Sequence, residues 1–166
     1  RNRRRGKAPC RIPMIANCEI TLARSSDASL IAALSRDAIE RGLNWSWTPQ
    51  RVLRSMRDAA TNTIVARERE MLAGFAIMKY REEDAHLLLM AVHSSRRRRG
   101  VASALLDWLE VTARVAGIAS IRVEARETNF AARQFYGKHG YRQVELLRGY
   151  YENRDDAVVL KRMLRI

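Results

Sequence analysis

Apolar and polar positions along this chain change period several times, and each change marks an element. Leu87 to Val92 (LLLMAV) is an unbroken apolar run, which predicts a short strand covered on both faces. It ends in His93-Ser94-Ser95. From Val101 the apolar residues recur at Ala102, Leu105, Leu109 and Ala113, or at Leu105, Trp108, Leu109 and Thr112, which is one face of a helix. The pattern therefore turns from strand to helix across Arg96 to Gly100. A helix starting there presents unpaired backbone N–H groups and the positive end of its dipole, and Gly100 lets another group approach the backbone closely. A phosphate ester fits such a loop.

The same patterning organises the rest of the chain. Residues 1–17 have no periodicity, two prolines and a basic run, and are expected to form an extended or poorly ordered leader before a single domain over 18–166. Glu19 to Arg24 reads as an edge strand. Ser26 or Asp27 then caps a helix carrying Leu30, Ile31, Leu34 and Ile39 and ending near Gly42. Thr48-Pro49 opens a second helix to about Ala59. Thr63 to Arg67 and Leu72 to Tyr80 predict antiparallel strands, the second leading through Arg81 to Asp84 into the apolar run. Past a helix stop at Gly117, Ser120 to Arg126 alternates: Ile121, Val123 and Ala125 face one way, and Arg122, Glu124 and Arg126 the other. Thr128 or Asn129 caps a helix from Phe130 to His139, stopped by Gly140. Tyr141 to Leu147 and Ala157 to Leu164 are the last strands, joined by a loop over 148–156.

Composition narrows the class. An apolar fraction of 47% with 30% charged residues is that of a globular domain, and the 166 residues suffice for one. No apolar run approaches the roughly 18 residues of a membrane span, and no secretory segment is visible, so a soluble cytoplasmic protein without a membrane partner is expected. Cys10 and Cys18 stand alone and no Cys/His cluster has ligand spacing, so no metal is expected. The net charge is +13, and 27 of the 31 basic residues are arginine. This balance points to an acidic ligand or to a nucleic-acid-rich neighbourhood, or reflects only an arginine-rich composition with a basic leader.

The segment Arg97-Arg98-Arg99-Gly100-Val101-Ala102 fits Arg/Gln-x-x-Gly-x-Gly/Ala, and so resembles the acyl-CoA pyrophosphate loop of the GNAT superfamily of N-acetyltransferases. The predicted order of elements is also that of the GNAT fold. Three further segments strengthen the resemblance: Glu124 to Asn129, Ala131 to Tyr141 (AARQFYGKHGY), and Gly149-Tyr150-Tyr151 followed by Asp156-Ala157. Together they are most similar to the branch that acetylates protein amino termini, including the ribosomal-protein alanine N-acetyltransferases. Ala102 stands where glycine is more usual, and Ser94 where many members have proline.

The resemblance implies an α/β fold: a mixed, mostly antiparallel sheet of about seven strands, about four flanking helices, and a parallel strand pair at the acyl-CoA site. It also implies acetyl-CoA as co-substrate. Backbone groups of Met90, Ala91 and Val92 would bind its pantetheine arm, and Arg97, Arg98, Arg99, Gly100, Val101, Ala102 and Ser103 its pyrophosphate. Asn129 would contact the arm or CoA, unless it only caps its helix. Glu124 takes the position of the general base; its structural alternative is a surface ion pair with Arg122 or Arg126. Tyr136 takes that of the general acid, its unperturbed phenol lying near an alkyl thiol in acidity; the alternative is a core aromatic. Tyr150 and Tyr151 occupy the loop that grips an acceptor peptide, or close the sheet. Trp45 and Trp47 line a substrate mouth, or staple helices to the sheet. His86, His93 and His139 are scattered and read as structural or exposed. The expected function is acetyl transfer to a protein N-terminal amine, a ribosomal protein being one candidate acceptor; the rivals are a small-amine (polyamine or antibiotic) acetyltransferase and a non-catalytic RNA- or ribosome-associated module of the same fold.

Overall fold

A computed structural model describes residues 17–164, so most of the proposed leader, with Cys10, lies outside the described residues. The strands are β1 (Glu19–Leu22), β2 (Thr61–Glu68), β3 (Met71–Tyr80), β4 (Asp84–Val92), β5 (Ser120–Arg126), β6 (Arg142–Tyr151) and β7 (Asp155–Met163). The helices are α1 (Ala28–Ala38), α2 (Pro49–Arg57), α3 (Val101–Val115) and α4 (Phe130–Lys138). One seven-stranded sheet has the order β1-β2-β3-β4-β5-β7-β6, antiparallel except for the central β4–β5 pair. This is the α/β architecture that the sequence resemblance implies.

Two cores lie on opposite faces of the sheet. Ile31, Val52, Phe75 and Ile77 belong to the core beneath α1 and α2. Leu105, Leu109, Ile121, Tyr136 and Leu160 belong to the one beneath α3 and α4. On α1 the buried stripe is Ala28, Ile31, Ala32 and Ser35, while Leu30 is turned to solvent. The helix ends at Ala38, short of the expected Gly42, because the carboxylate of Glu40 organises the following loop: it accepts from Ser46 N (2.8 Å), Ser46 Oγ (2.5 Å) and Trp47 N (3.3 Å). On α3 a buried Glu110 accepts two hydrogen bonds from Arg162 Nη1 (2.8 and 2.7 Å) and one from Tyr141 Oη (3.3 Å), joining the helix to β7 and to the connection between α4 and β6.

Two expectations about strands change. Leu87 to Val92 is not uniformly buried on both faces, since buried and half-buried residues alternate along β4. Tyr150 and Tyr151 end β6 rather than lying in a long loop; the turn is only Glu152 to Arg154, and Tyr151 pairs with Asp155. The register skips between Leu147 and Tyr151, and Gly149 takes φ +61° there, so a bulge stood in the sequence where a loop was expected.

Candidate active site

The site begins where two parallel strands part. The β4–β5 pairing runs only from Asp84/Ser120 to Leu87/Val123, although β4 continues to Val92 and β5 to Arg126. The cause is a bulge: β3 pairs Met78 with Leu87 and Ile77 with Leu89, leaving Leu88 as the extra residue. A one-residue slip exchanges the faces of a strand. Ala85 and Leu87 accordingly join the core beneath α3, and Leu89 and Ala91 the core beneath α1 and α2. Beyond Leu87 the β5-facing edge of β4 has no strand partner among the described residues, so Met90, Ala91 and Val92 line an open wedge with unpaired main-chain groups. An extended, amide-bearing ligand could pair with them as a strand would.

The wedge leads to the basic loop. After a single 3-10 turn, Ser94–Arg96, the backbone takes left-handed conformations at Arg98 (φ 59°) and Gly100 (φ 81°), and α3 starts at Val101. The first helical bond runs from Ala104 N to Gly100 O (3.0 Å), so the amides of Val101, Ala102 and Ser103 have no acceptor within the helix. Arg96 is tied back to Glu68 at 2.5 Å, whereas Arg97, Arg98 and Arg99 are exposed at the mouth. The loop therefore joins a helix N-terminus to three outward cations, a fit for a pyrophosphate.

On the sheet face shared with α1 and α2, Glu124 is nearly enclosed, its side chain 9% exposed. Its side-chain partner is neither Arg122 nor Arg126 but His86, whose Nε2 meets Glu124 Oε2. Arg122 Nη2 reaches the other ring nitrogen, His86 Nδ1, at 3.3 Å. Arg126 turns away to Asp155 (3.3 Å) and to the carbonyls of Ile39 (3.1 Å) and Arg41 (2.8 Å). Asn44 N donates to Glu152 Oε1 at 2.7 Å, so the α1–α2 loop and the β6–β7 turn are fastened together over this face. His86 is the site residue that sequence reasoning missed. Its neighbour Leu87 opens the apolar run, but only the parallel register, His86 opposite Arg122, brings it to Glu124.

Two tyrosines stand near the pair, and a third lies beyond them. Tyr150 and Tyr151 meet edge to face at 4.9 Å between ring centres, and both stand close enough to Glu124 to feel its charge. Burial, then the neighbouring Tyr150 and Glu124, push the Tyr151 phenol up to about 12. Burial is also the first cause, and Tyr151 the second, of a shift that holds Tyr136 well above the ordinary tyrosine value. Tyr136 packs edge to face against Phe135 and Tyr141, at 5.2 and 5.4 Å. It is thus a core aromatic, as its helical spacing allowed, yet its hydroxyl has no hydrogen-bond partner among the described residues and is not among the fully enclosed unpartnered atoms. Asn129 Oδ1 accepts from Ala132 N (3.1 Å), capping α4.

The sequence and the fold match one family. Residues 29–141 match the Acetyltransferase (GNAT) family. The chain belongs to it. Over 92 residues this GNAT chain is 32% identical to the [Ribosomal protein bS18]-alanine N-acetyltransferase of Escherichia coli, a match covering 54% of the chain and 62% of the relative. The chain spans between 50% and 62% of the length of the first relatives it matches by sequence. It superposes on Ard1 of Thermoplasma volcanium with a TM-score of 0.82 and 25% identity, covering 90% of this chain and 99% of the other. Arabidopsis thaliana NAA60 in complex with acetyl-CoA shares the fold, with a TM-score of 0.77, 16% identity and coverage of 89% and 98%.

Both tryptophans of the α1–α2 loop lie beneath arginine guanidinium groups. Trp47 is 8% exposed in the core beneath α1 and α2, with the Arg51 guanidinium 4.1 Å above its ring. Trp45 lies outward under Arg36 at 5.1 Å. Trp47 does border a shallow pocket with Arg51, Arg54, Asp58, Lys79 and Leu88. Among the described residues no cluster of His, Cys, Asp and Glu could hold a metal, and no helix is long and apolar enough to cross a membrane.

Proposed function

We propose that this chain is an acetyl-CoA-dependent N-acetyltransferase whose acceptor is a protein N-terminal α-amine, with a ribosomal protein as the first acceptor to try. The observation that carries the reading is Glu124, held on the α1/α2 face of the sheet where β4 and β5 separate, with Tyr150 and Tyr151 close by. The E. coli relative's name, an alanine N-acetyltransferase of a ribosomal protein, supports this choice of acceptor.

Acetyl-CoA supplies an activated thioester, whose acyl carbon an uncharged amine attacks. The wedge along Met90 to Val92 would hold the pantetheine by strand-like hydrogen bonds, and the amides of Val101 to Ser103, with Arg97 to Arg99, the pyrophosphate. An α-amino group has a pKa of about 8, so little work is needed to deprotonate it near neutrality. Glu124 takes that proton directly or through one water. Tyr136 presents a hydroxyl to the departing sulfur. Because burial holds its proton firmly, the phenol acts first as a hydrogen-bond donor to the growing negative charge. Tyr150 and Tyr151 flank the first residues of the acceptor.

The test is turnover of acetyl-CoA against a panel of N-terminal peptides, including ribosomal ones, beside polyamines and aminoglycosides, with products read by mass spectrometry. Acetylation at the peptide α-amine is expected, and Glu124→Gln should lower kcat/KM by about 100-fold or more. Turnover of small amines alone would defeat the choice of acceptor, and no turnover of any amine would defeat the enzyme reading.

A further inference from the structure

The contact between Glu124 and His86 has an orientation that can be worked out from donors and acceptors. A guanidinium has five N–H groups and no acceptor, so Arg122 Nη2 at 3.3 Å from His86 Nδ1 can only donate. Nδ1 must therefore be the bare nitrogen of the ring. A neutral imidazole carries its one hydrogen on the other nitrogen, Nε2, which is the atom against Glu124 Oε2. For a neutral ring the direction of the chain follows: Arg122 donates to His86, and His86 donates to Glu124. Glu124 Oε1 takes no part in it and is not fully enclosed.

We propose that His86 is a positioning residue for Glu124: held as the Nε2–H tautomer by Arg122, it pins Oε2 and leaves Oε1 aimed at the acceptor amine. The proposal rests on the acetyl-transfer reading above. In the step it serves, an N–H bond of the acceptor ammonium breaks and an O–H bond forms on Glu124 Oε1. The freed nitrogen pair is then available for attack, and the proton passes from Glu124 to water. The His86 hydrogen stays on Nε2 throughout. An unpinned glutamate on a strand has two free side-chain torsions beyond its first, and fixing them in advance removes that ordering cost from the reaction.

The groups facing His86 fit this role. From β5 come Glu124 and Arg122; from β3 comes Lys79, opposite His86 in register and itself paired with Asp58 at 3.4 Å; from β6 comes Tyr150, which feels both Glu124 and Arg122. A second hydrogen on the ring would remove the acceptor that Arg122 uses.

Two measurements on the full chain decide the matter. Long-range proton–nitrogen NMR of the free protein near neutral pH should show His86 as the neutral Nε2–H tautomer, with its preference weakened in Arg122→Leu. A hydrogen on Nδ1 or a bare Nε2 would overturn the proposal, the latter by making His86 itself the base. This readout needs no substrate, so it stands whether or not any acceptor is found. With an acceptor in hand, His86→Leu should lower kcat/KM roughly tenfold or more and shift the acid limb of its pH profile. His86→Gln, whose amide N–H can replace Nε2–H, should restore most of the rate. Equal losses in the two variants with an unmoved limb, both remaining folded by circular dichroism, would mean that His86 serves only the fold.

Discussion

At the scale of single residues, Tyr136 is the sharpest case, because two readings of it hold at once. Its ring is core, wedged between Phe135 and Tyr141, and its hydroxyl is left without a hydrogen-bond partner among the described residues. Sequence spacing alone left these as alternatives. Tyr136→Phe keeps the ring and removes only the hydroxyl. We expect the variant to lose roughly 100-fold in kcat while acetyl-CoA affinity by calorimetry stays within about twofold. The raised pKa has its own consequence. The folded phenol keeps its proton above the ordinary tyrosine value, so kcat of the unmodified chain should show no fall from Tyr136 ionisation up to about pH 9.5. An alkaline limb present in the parent and missing in Tyr136→Phe would show that the phenol ionises earlier than its burial requires.

At the scale of elements, the cleft depends on contacts that a pattern of apolar letters does not record. The order of strands and helices could be read from periodicity, and so could the caps at Thr48 and Asn129, whose side chains accept from Arg51 N and Ala132 N. The bulge at Leu88 could not, because three consecutive leucines look the same whichever face each one serves. The parallel register that joins His86 to Glu124 was hidden for the same kind of reason: it is set by chain segments far apart in sequence. Gly149 and the polar run after it resemble a loop, whereas the strand absorbs Tyr150 and Tyr151 through an irregular register. Gly74 is another such element-scale feature. A Cβ there would lie 2.9 Å from Ala91 O, 3.2 Å from Val101 Cγ1 and 3.3 Å from Leu105 Cδ1, so β3, the open part of β4 and the start of α3 meet at this point. The backbone oxygen cannot swing aside as a side chain could. Gly74→Ala should destabilise the fold by about 1–3 kcal/mol, seen as a lower thermal midpoint, and should weaken acetyl-CoA binding beyond that of an equally destabilised variant remote from the wedge. A parent-like midpoint would show that β4 can yield there.

At the scale of the whole molecule, the question is what the +13 charge serves. Many of the arginines on the described surface are engaged in local structure. Arg67 pairs with Asp27, Arg96 with Glu68, Arg126 with Asp155 and Arg162 with Glu110, while Arg36 and Arg51 lie over tryptophans. Arg97, Arg98 and Arg99 differ in being exposed together at a helix N-terminus, where a multiply charged phosphate ligand would meet them. Exposed charges are screened within about 8 Å at physiological salt, so their contribution to binding should fade as salt rises. KM for acetyl-CoA should therefore rise several-fold between low and high salt, and in Arg97→Gln/Arg99→Gln the low-salt value should already be raised and the slope reduced. The same variant separates the two roles that composition left open. If the loop serves the nucleotide ligand, KM changes and any retention on RNA stays the same; if it serves nucleic acid, binding to a structured RNA falls and its salt slope flattens while KM is untouched. The second outcome would move the arginines out of the active site and leave the helix amides alone to hold the pyrophosphate.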